Sequence, residues 1–233
     1  MTDNSYNFTN GTHFILKKYY TTEFINELYT QLFTTYSAKN ADAFMNYQQL
    51  NHAIKGNYNY TINSENTDTF DNFQTILNNF NTLIRNALIE NNNKYITRTF
   101  SIQLADIQLC ITRKNTPPTN IVKSRSINIF IPLHSFSNGG TVSIFPNKLQ
   151  DNTDTNDIID KYYNVDEINK KLNYGDLSNY NDEDKEKLIN QEVFIDTEPG
   201  DVLIVNKNSF SRSIPNFSDQ DRYCLQLIYN VNI

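Results

Sequence analysis

Few residues in this chain are equipped for chemistry. Its 233 residues include three histidines, His13, His52 and His134, and two cysteines, Cys110 and Cys224. No two of the histidines stand at metal-ligand spacing. Residues 150–190 carry many carboxylates but lack the glycine-punctuated spacing of a calcium loop, so a solvated acidic insertion describes them better than a metal site. Both cysteines lie inside apolar strand-like runs and read as reduced core thiols rather than a disulfide. Arg222 opens the last apolar run, Arg222 to Tyr229. Side chains alternate along a strand, which puts Arg222, Cys224, Gln226 and Ile228 on one face. The other face carries Tyr223, Leu225, Leu227 and Tyr229, and this more apolar set is expected to pack under the sheet or against a helix.

The elements around these residues can be read from periodicity and turn chemistry. His13 to Tyr20 reads as a short strand, and Thr21-Thr22 can cap a helix over Glu23 to Tyr36. Asp71 to Glu90 is the clearest helix, with Phe73, Ile76, Leu77, Phe80, Leu83, Ile84 and Leu88 along one side. A helix with one apolar stripe must bury it, and the strands that follow are the natural partner. Arg98 to Lys114 contains an alternating strand with Ala105, Ile107, Leu109 and Ile111 on one face and Asp106, Gln108, Cys110 and Thr112 on the other. Further strands are expected over Ser126–Leu133, Thr141–Phe145, Glu192–Thr197 and Val202–Val205. A turn over 137–140 separates the first two. The acidic insertion should hold two short helices, near Val165–Leu172 and Asp182–Asn190.

Composition excludes several classes of function. A net charge of −6 without a long basic run argues against a general affinity for nucleic acid. There is no apolar leader at the N-terminus and no run long enough to cross a bilayer, so a soluble intracellular protein is expected. Asn makes up roughly one residue in six and Trp is absent, the pattern that an AT-rich genome encodes, as in a large DNA virus or an AT-rich protist. The length suits a single domain, divided into an N-terminal helical part (1–95) and a part built from strands (96–233) that carries the insertion at 150–190.

Pro199-Gly200-Asp201 followed by the strand Val202–Val205, then Arg212, Ser213, Pro215 and Asn216, and finally Arg222, resembles the C-terminal segment of the iron(II)/2-oxoglutarate oxygenases. The likeness is to their phytanoyl-CoA hydroxylase-like group. The segment from Ile127 through Asn138-Gly139 to Pro146 resembles the same family's central stretch. The resemblance implies a mainly β protein with packed helices: a double-stranded β-helix, or jelly roll, with the N-terminal helices on its larger sheet. It also implies that Arg222 faces the barrel interior and holds the carboxylate of 2-oxoglutarate.

The family binds iron(II) with a His-x-Asp pair and a second His. Where that second His belongs, this chain has Ser211. The inward positions expected for the pair, Asp106/Gln108 and Thr112/Lys114, contain no such motif. The candidate co-substrate residues are therefore Arg222, Gln108 and Ser211, with no metal ligand and no catalytic residue. A buried guanidinium requires an anion, and either a bound dicarboxylate or an internal carboxylate such as Asp106 would supply it. The resulting expectation is a non-catalytic binding or structural module, without iron, whose partner is another protein or a small carboxylic acid. The alternative is an active iron(II)/2-oxoglutarate dioxygenase with unusual ligands.

Overall fold

Twelve strands and four α-helices make up the computed structural model, which describes residues 12–39, 57–61, 71–92, 101–115, 118–119, 121–133, 142–162, 164–166, 171–173 and 177–232. Two antiparallel sheets dominate. The larger contains β1 (His13–Leu16), β2 (Asn57–Thr61), β3 (Ser101–Thr112), β5 (Ile127–Pro132), β10 (Val202–Val205) and β12 (Arg222–Asn232), in the order β1-β10-β5-β12-β3-β2. The smaller has the order β4-β11-β6-β9, from β4 (Val122–Lys123), β11 (Phe210–Ser213), β6 (Val142–Phe145) and β9 (Val193–Phe194). Successive strands of the C-terminal half pass back and forth between the two sheets, as in the expected jelly roll.

The helices α1 (Thr22–Lys39) and α2 (Asp71–Asn92) cover the outer face of the larger sheet. Ile25, Leu28 and Leu32 of α1 and Ile76, Phe80 and Ile84 of α2 are fully buried. They share one core with Ile107, Leu109 and Ile111 of β3 and with Leu225, Leu227 and Tyr229 of β12. The apolar face of the last strand thus packs against the helices, as its alternation predicts, and the Arg222 face is left to the interior between the sheets. Thr21 caps α1 by accepting a hydrogen bond from the Phe24 N–H at 3.2 Å.

Three local departures from the sequence reading have clear causes. β1 stops at Leu16 rather than running to Tyr20, and Lys18 then takes a positive φ of 51° as the chain turns into α1. In β3 the simple alternation fails at Ala105, which is exposed. The register with β12 slips between Ile228, opposite Asp106, and Tyr229, opposite Leu104, so Ala105 is the extra residue of a β-bulge. Beyond the bulge Leu104 and Ile102, not Ala105, pack against the core. The helix expected near Val165–Leu172 is instead a hairpin, β7 (Asn164–Asp166) with β8 (Lys171–Asn173). The insertion's helices are α3 (Thr155–Ile159), capped by Asp154, and α4 (Asp182–Ile189), capped by Asn181. Ile158, Ile159, Leu177, Tyr180 and Leu188 of the insertion form a second core with Phe145 and Phe210 on the outer face of the smaller sheet. The expected turn at 137–140 lies outside the described residues.

The turn Pro199-Gly200-Asp201 joins the N-terminal strand to the barrel. Gly200 has φ +95°, and a Cβ there would come within 2.4 Å of the Tyr20 carbonyl oxygen, so only glycine fits. The Tyr20 N–H donates to the Gly200 carbonyl at 2.9 Å. The Asp201 carboxylate accepts from Lys17 Nζ at 2.8 Å and from the backbone N–H groups of Lys18 and Glu198 at 2.9 and 3.0 Å.

Candidate functional site

The interior between the two sheets is filled at one end by Val142, Ile144, Leu203 and Val205. Elsewhere it opens into a cavity of about 310 Å³. The larger sheet supplies Cys110 and Thr112 from β3, Asn128 and Phe130 from β5, and Arg222, Cys224 and Gln226 from β12. The smaller sheet and its approaches supply Ser211, Ser213, Val122, Thr119 and Ser124. The antiparallel register explains this grouping. Arg222 lies opposite Thr112, Cys224 opposite Cys110 and Gln226 opposite Phe130, and directly paired residues project to the same side of a sheet.

Arg222 is only 4% exposed. Its Nη2 donates to the Ile214 carbonyl, and burial lowers its pKa to about 10. The loop that delivers it, from Ile214 to Asp221, is held by Asn216, which is buried. The Asn216 amide donates to the Thr112 carbonyl at 3.0 Å and to the Gln220 carbonyl at 2.8 Å. At the mouth of the same strands, Arg113 donates to Asp221 at 2.6 Å.

Arg212 also borders the cavity, but its side chain serves another purpose. In β11, Ser211 and Ser213 pair with Ile144 and Val142, which point inward, whereas Phe210 and Arg212 pair with Phe145 and Ser143 on the outer side. There Arg212 makes a bidentate contact with Glu192, Nε at 2.7 Å and Nη2 at 2.5 Å. Ser143 also donates to Glu192, and the Arg212 guanidinium lies over the Phe145 ring. Of the two guanidinium groups, only that of Arg222 is directed inside.

A chain of hydrogen bonds crosses the cavity wall. Cys110 Sγ donates to Gln226 Oε1 at 3.1 Å, Gln226 Nε2 donates to Asn128 Oδ1 at 2.9 Å, and Asn128 Nδ2 donates to Ser124 Oγ. Burial, and next the neighbouring Cys224 and Asp106, hold the Cys110 thiol well above the ordinary thiol range.

Of the three residues singled out by sequence, Arg222 and Ser211 border this cavity. Gln108 lies on the same face of β3 as Cys110, one step further along, with its amide donating to Asp106 at 2.6 Å. The register removes Asp106 as a partner for Arg222: Arg222 is opposite Thr112, six residues from Asp106, about 20 Å at the usual strand rise. Ser211 lies between β6, with Ile144 opposite it, and β4, with Val122 opposite it, and β4 and its flanks read Ile121-Val122-Lys123-Ser124. Lys114 is exposed rather than inward. Sequence reasoning missed Thr119 and Asn128, because these reach the site through pairings between distant strands that leave no local signature. His52 and His134 lie outside the described residues, and His13 stands on β1, the outermost strand of the larger sheet.

The protein has the fold of the iron(II)/2-oxoglutarate oxygenases. HygX from Streptomyces hygroscopicus, solved with nickel and 2-oxoglutarate bound, superposes with a TM-score of 0.55 over 96% of this chain and 84% of its own, at 8% identity. A Pseudomonas putida prolyl-4-hydroxylase matches with a TM-score of 0.51 over 94% and 92% of the two chains, at 10% identity. A Trichoplax adhaerens prolyl hydroxylase, in complex with a hypoxia-inducible-factor peptide, matches with a TM-score of 0.51 over 95% and 84%, at 12% identity. No family model matches the chain, and no curated protein does. Among the described residues no helix is long and apolar enough to cross a membrane.

The described donor set of the cavity does not fit the family's iron. Its described lining offers hydroxyls, two thiols, two amides and two arginines, without an imidazole or a carboxylate. No cluster of three metal-ligating side chains occurs among the described residues.

Proposed function

We propose that this chain is a non-catalytic member of the oxygenase fold, related to the phytanoyl-CoA hydroxylase-like group, that binds a small carboxylic acid in its barrel. The observation that carries this reading is the cavity itself: the buried guanidinium of Arg222 borders a space whose described lining is rich in hydroxyl and amide groups. A planar guanidinium matches a carboxylate in bidentate fashion and gains strength away from water. Thr112 and Ser213 add hydroxyl donors near it, and Phe130 and Val142 offer apolar contact for a short carbon chain. A 2-oxoacid such as 2-oxoglutarate is the natural probe. The site's chemistry is that of capture: it orients an acid within the barrel. The phytanoyl-CoA hydroxylase-like relationship rests on Pro199-Gly200-Asp201, Arg212, Ser213 and Asn216. Two reduced cysteines and the absence of a basic run fit an intracellular role without nucleic acid.

The test is a thermal-shift series with 2-oxoglutarate on wild-type protein and Arg222→Met. Without a metal to chelate, the acid should bind in the millimolar range, about −4 kcal/mol. A tenfold excess over Kd then stabilises the wild type by about 1.4 kcal/mol. The variant should show no shift. An equal shift in both proteins would overturn the assignment of Arg222, and no shift in either would overturn acid binding.

A further inference from the structure

We propose that Cys110 and Cys224 form a reversible dithiol–disulfide pair in the cavity wall, and that its oxidation state tunes the acid site. The two residues are direct register partners on β3 and β12, 114 positions apart in sequence. Directly opposed residues of an antiparallel pair have Cα atoms about 4.5 or 5.5 Å apart, and both values lie inside the range that a disulfide spans. Both side chains border the same cavity, so they project to the same side of the sheet. Neither forms a disulfide in this structure. Cys110 is the more accessible, Cys224 being 4% exposed, so Cys110 is the point of entry.

The reaction balances with a low-molecular-weight disulfide such as oxidised glutathione. The Cys110 thiolate attacks one glutathione sulfur, the glutathione S–S bond breaks, and one glutathione thiolate leaves. The Cys224 thiolate then attacks the Cys110 sulfur and expels the second. The protein loses two protons and two electrons, and the two glutathione thiolates take up the protons. The elevated Cys110 pKa keeps the thiolate fraction small at neutral pH, so the exchange should be slow.

Oxidation alters the site because a disulfide has no S–H. The thiol proton that Cys110 now donates to Gln226 Oε1 disappears. Gln226 is in turn bonded to Asn128, so the change passes along the polar wall of the cavity. One hydrogen bond gained or lost by a ligand is worth about 1 kcal/mol, or about a fivefold change in affinity. This coupling rests on the acid-binding reading, whereas the cross-link does not.

The experiment equilibrates wild-type protein in reducing and oxidising glutathione buffers, then alkylates it under denaturing conditions for intact-mass analysis. The expected result is two alkyl groups in the reducing buffer and none in the oxidising one, with a tryptic species joining the Cys110 and Cys224 peptides. Cys224→Ala should instead carry one glutathione on Cys110 in the oxidising buffer. Two alkylatable thiols in both buffers, or two bound glutathiones in place of a cross-link, would overturn the proposal. The two forms are then compared for 2-oxoglutarate affinity. A change of about fivefold supports the coupling and equal affinities overturn it. A cross-link with no acid binding in either form would sink the acid reading and leave the disulfide standing.

Discussion

Arg212 and Arg222, ten positions apart, show how the direction of a side chain decides its use. Arg212 points out of the barrel and is saturated by Glu192, whose side chain is 1% exposed. Arg222 points in, toward a cavity lined by hydroxyl, thiol and amide groups. The Arg212–Glu192 pair is bidentate and mostly withdrawn from water, so removing one partner strands a buried charge. Glu192→Ala should lower stability by about 3 kcal/mol in urea unfolding. The double variant Glu192→Ala/Arg212→Ala should cost clearly less than the sum of the two single changes, because the stranded charge goes with its partner. Additive effects would show that the pair contributes nothing as a pair.

Among the elements, β12 is the organising strand. It lies between β5 and β3, and its two faces serve the helical core and the cavity. The helices that cover it bury apolar side chains against it. Phe80 of α2 is fully buried, and its ring stacks on Tyr19 at 5.9 Å between centroids. Phe80→Ala should cost about 3–4 kcal/mol and lower the urea midpoint with little change in slope. A cost below about 1 kcal/mol would mean that the helix layer is loosely packed. The turn before β10 makes a pH-dependent contribution. Burial raises the Asp201 carboxyl, but Lys17 and the N–H groups of Glu198 and Lys18 outweigh it, and the net shift is downward. A depressed carboxylate pKa stabilises the fold above the unfolded value near 3.9, and that stabilisation disappears as the pH falls through the native value. Asp201→Asn should therefore cost about 2 kcal/mol at pH 7 and progressively less below about pH 4. A cost independent of pH would show that the carboxylate charge is not what holds the turn.

At the scale of the whole molecule, the parts legible in the sequence were those carried by periodicity. The α2 stripe, the alternation of β12 and the turn at Gly200 each follow from a local pattern, and together with the resemblance they give the jelly roll and its helix layer. The bulge at Ala105 was not legible, because a single extra residue in a long strand leaves the hydrophobic pattern nearly intact. The hairpin at 164–173 was missed because short polar segments of this insertion carry too few apolar residues to separate a helical period from a strand period. The site was half legible. Arg222, Cys224 and Gln226 share a face by alternation alone, whereas Asn128 and Thr119 join them only through long-range pairing. The most direct test of the central claim, an acid-binding barrel that does not use iron, compares 2-oxoglutarate binding in chelator with binding in anaerobic iron(II), and then admits oxygen and measures succinate. The account predicts the same millimolar affinity in chelator and in iron, and no succinate above the protein-free control. Affinity that rises sharply with stoichiometric iron, together with succinate formation on admitting oxygen, would contradict it.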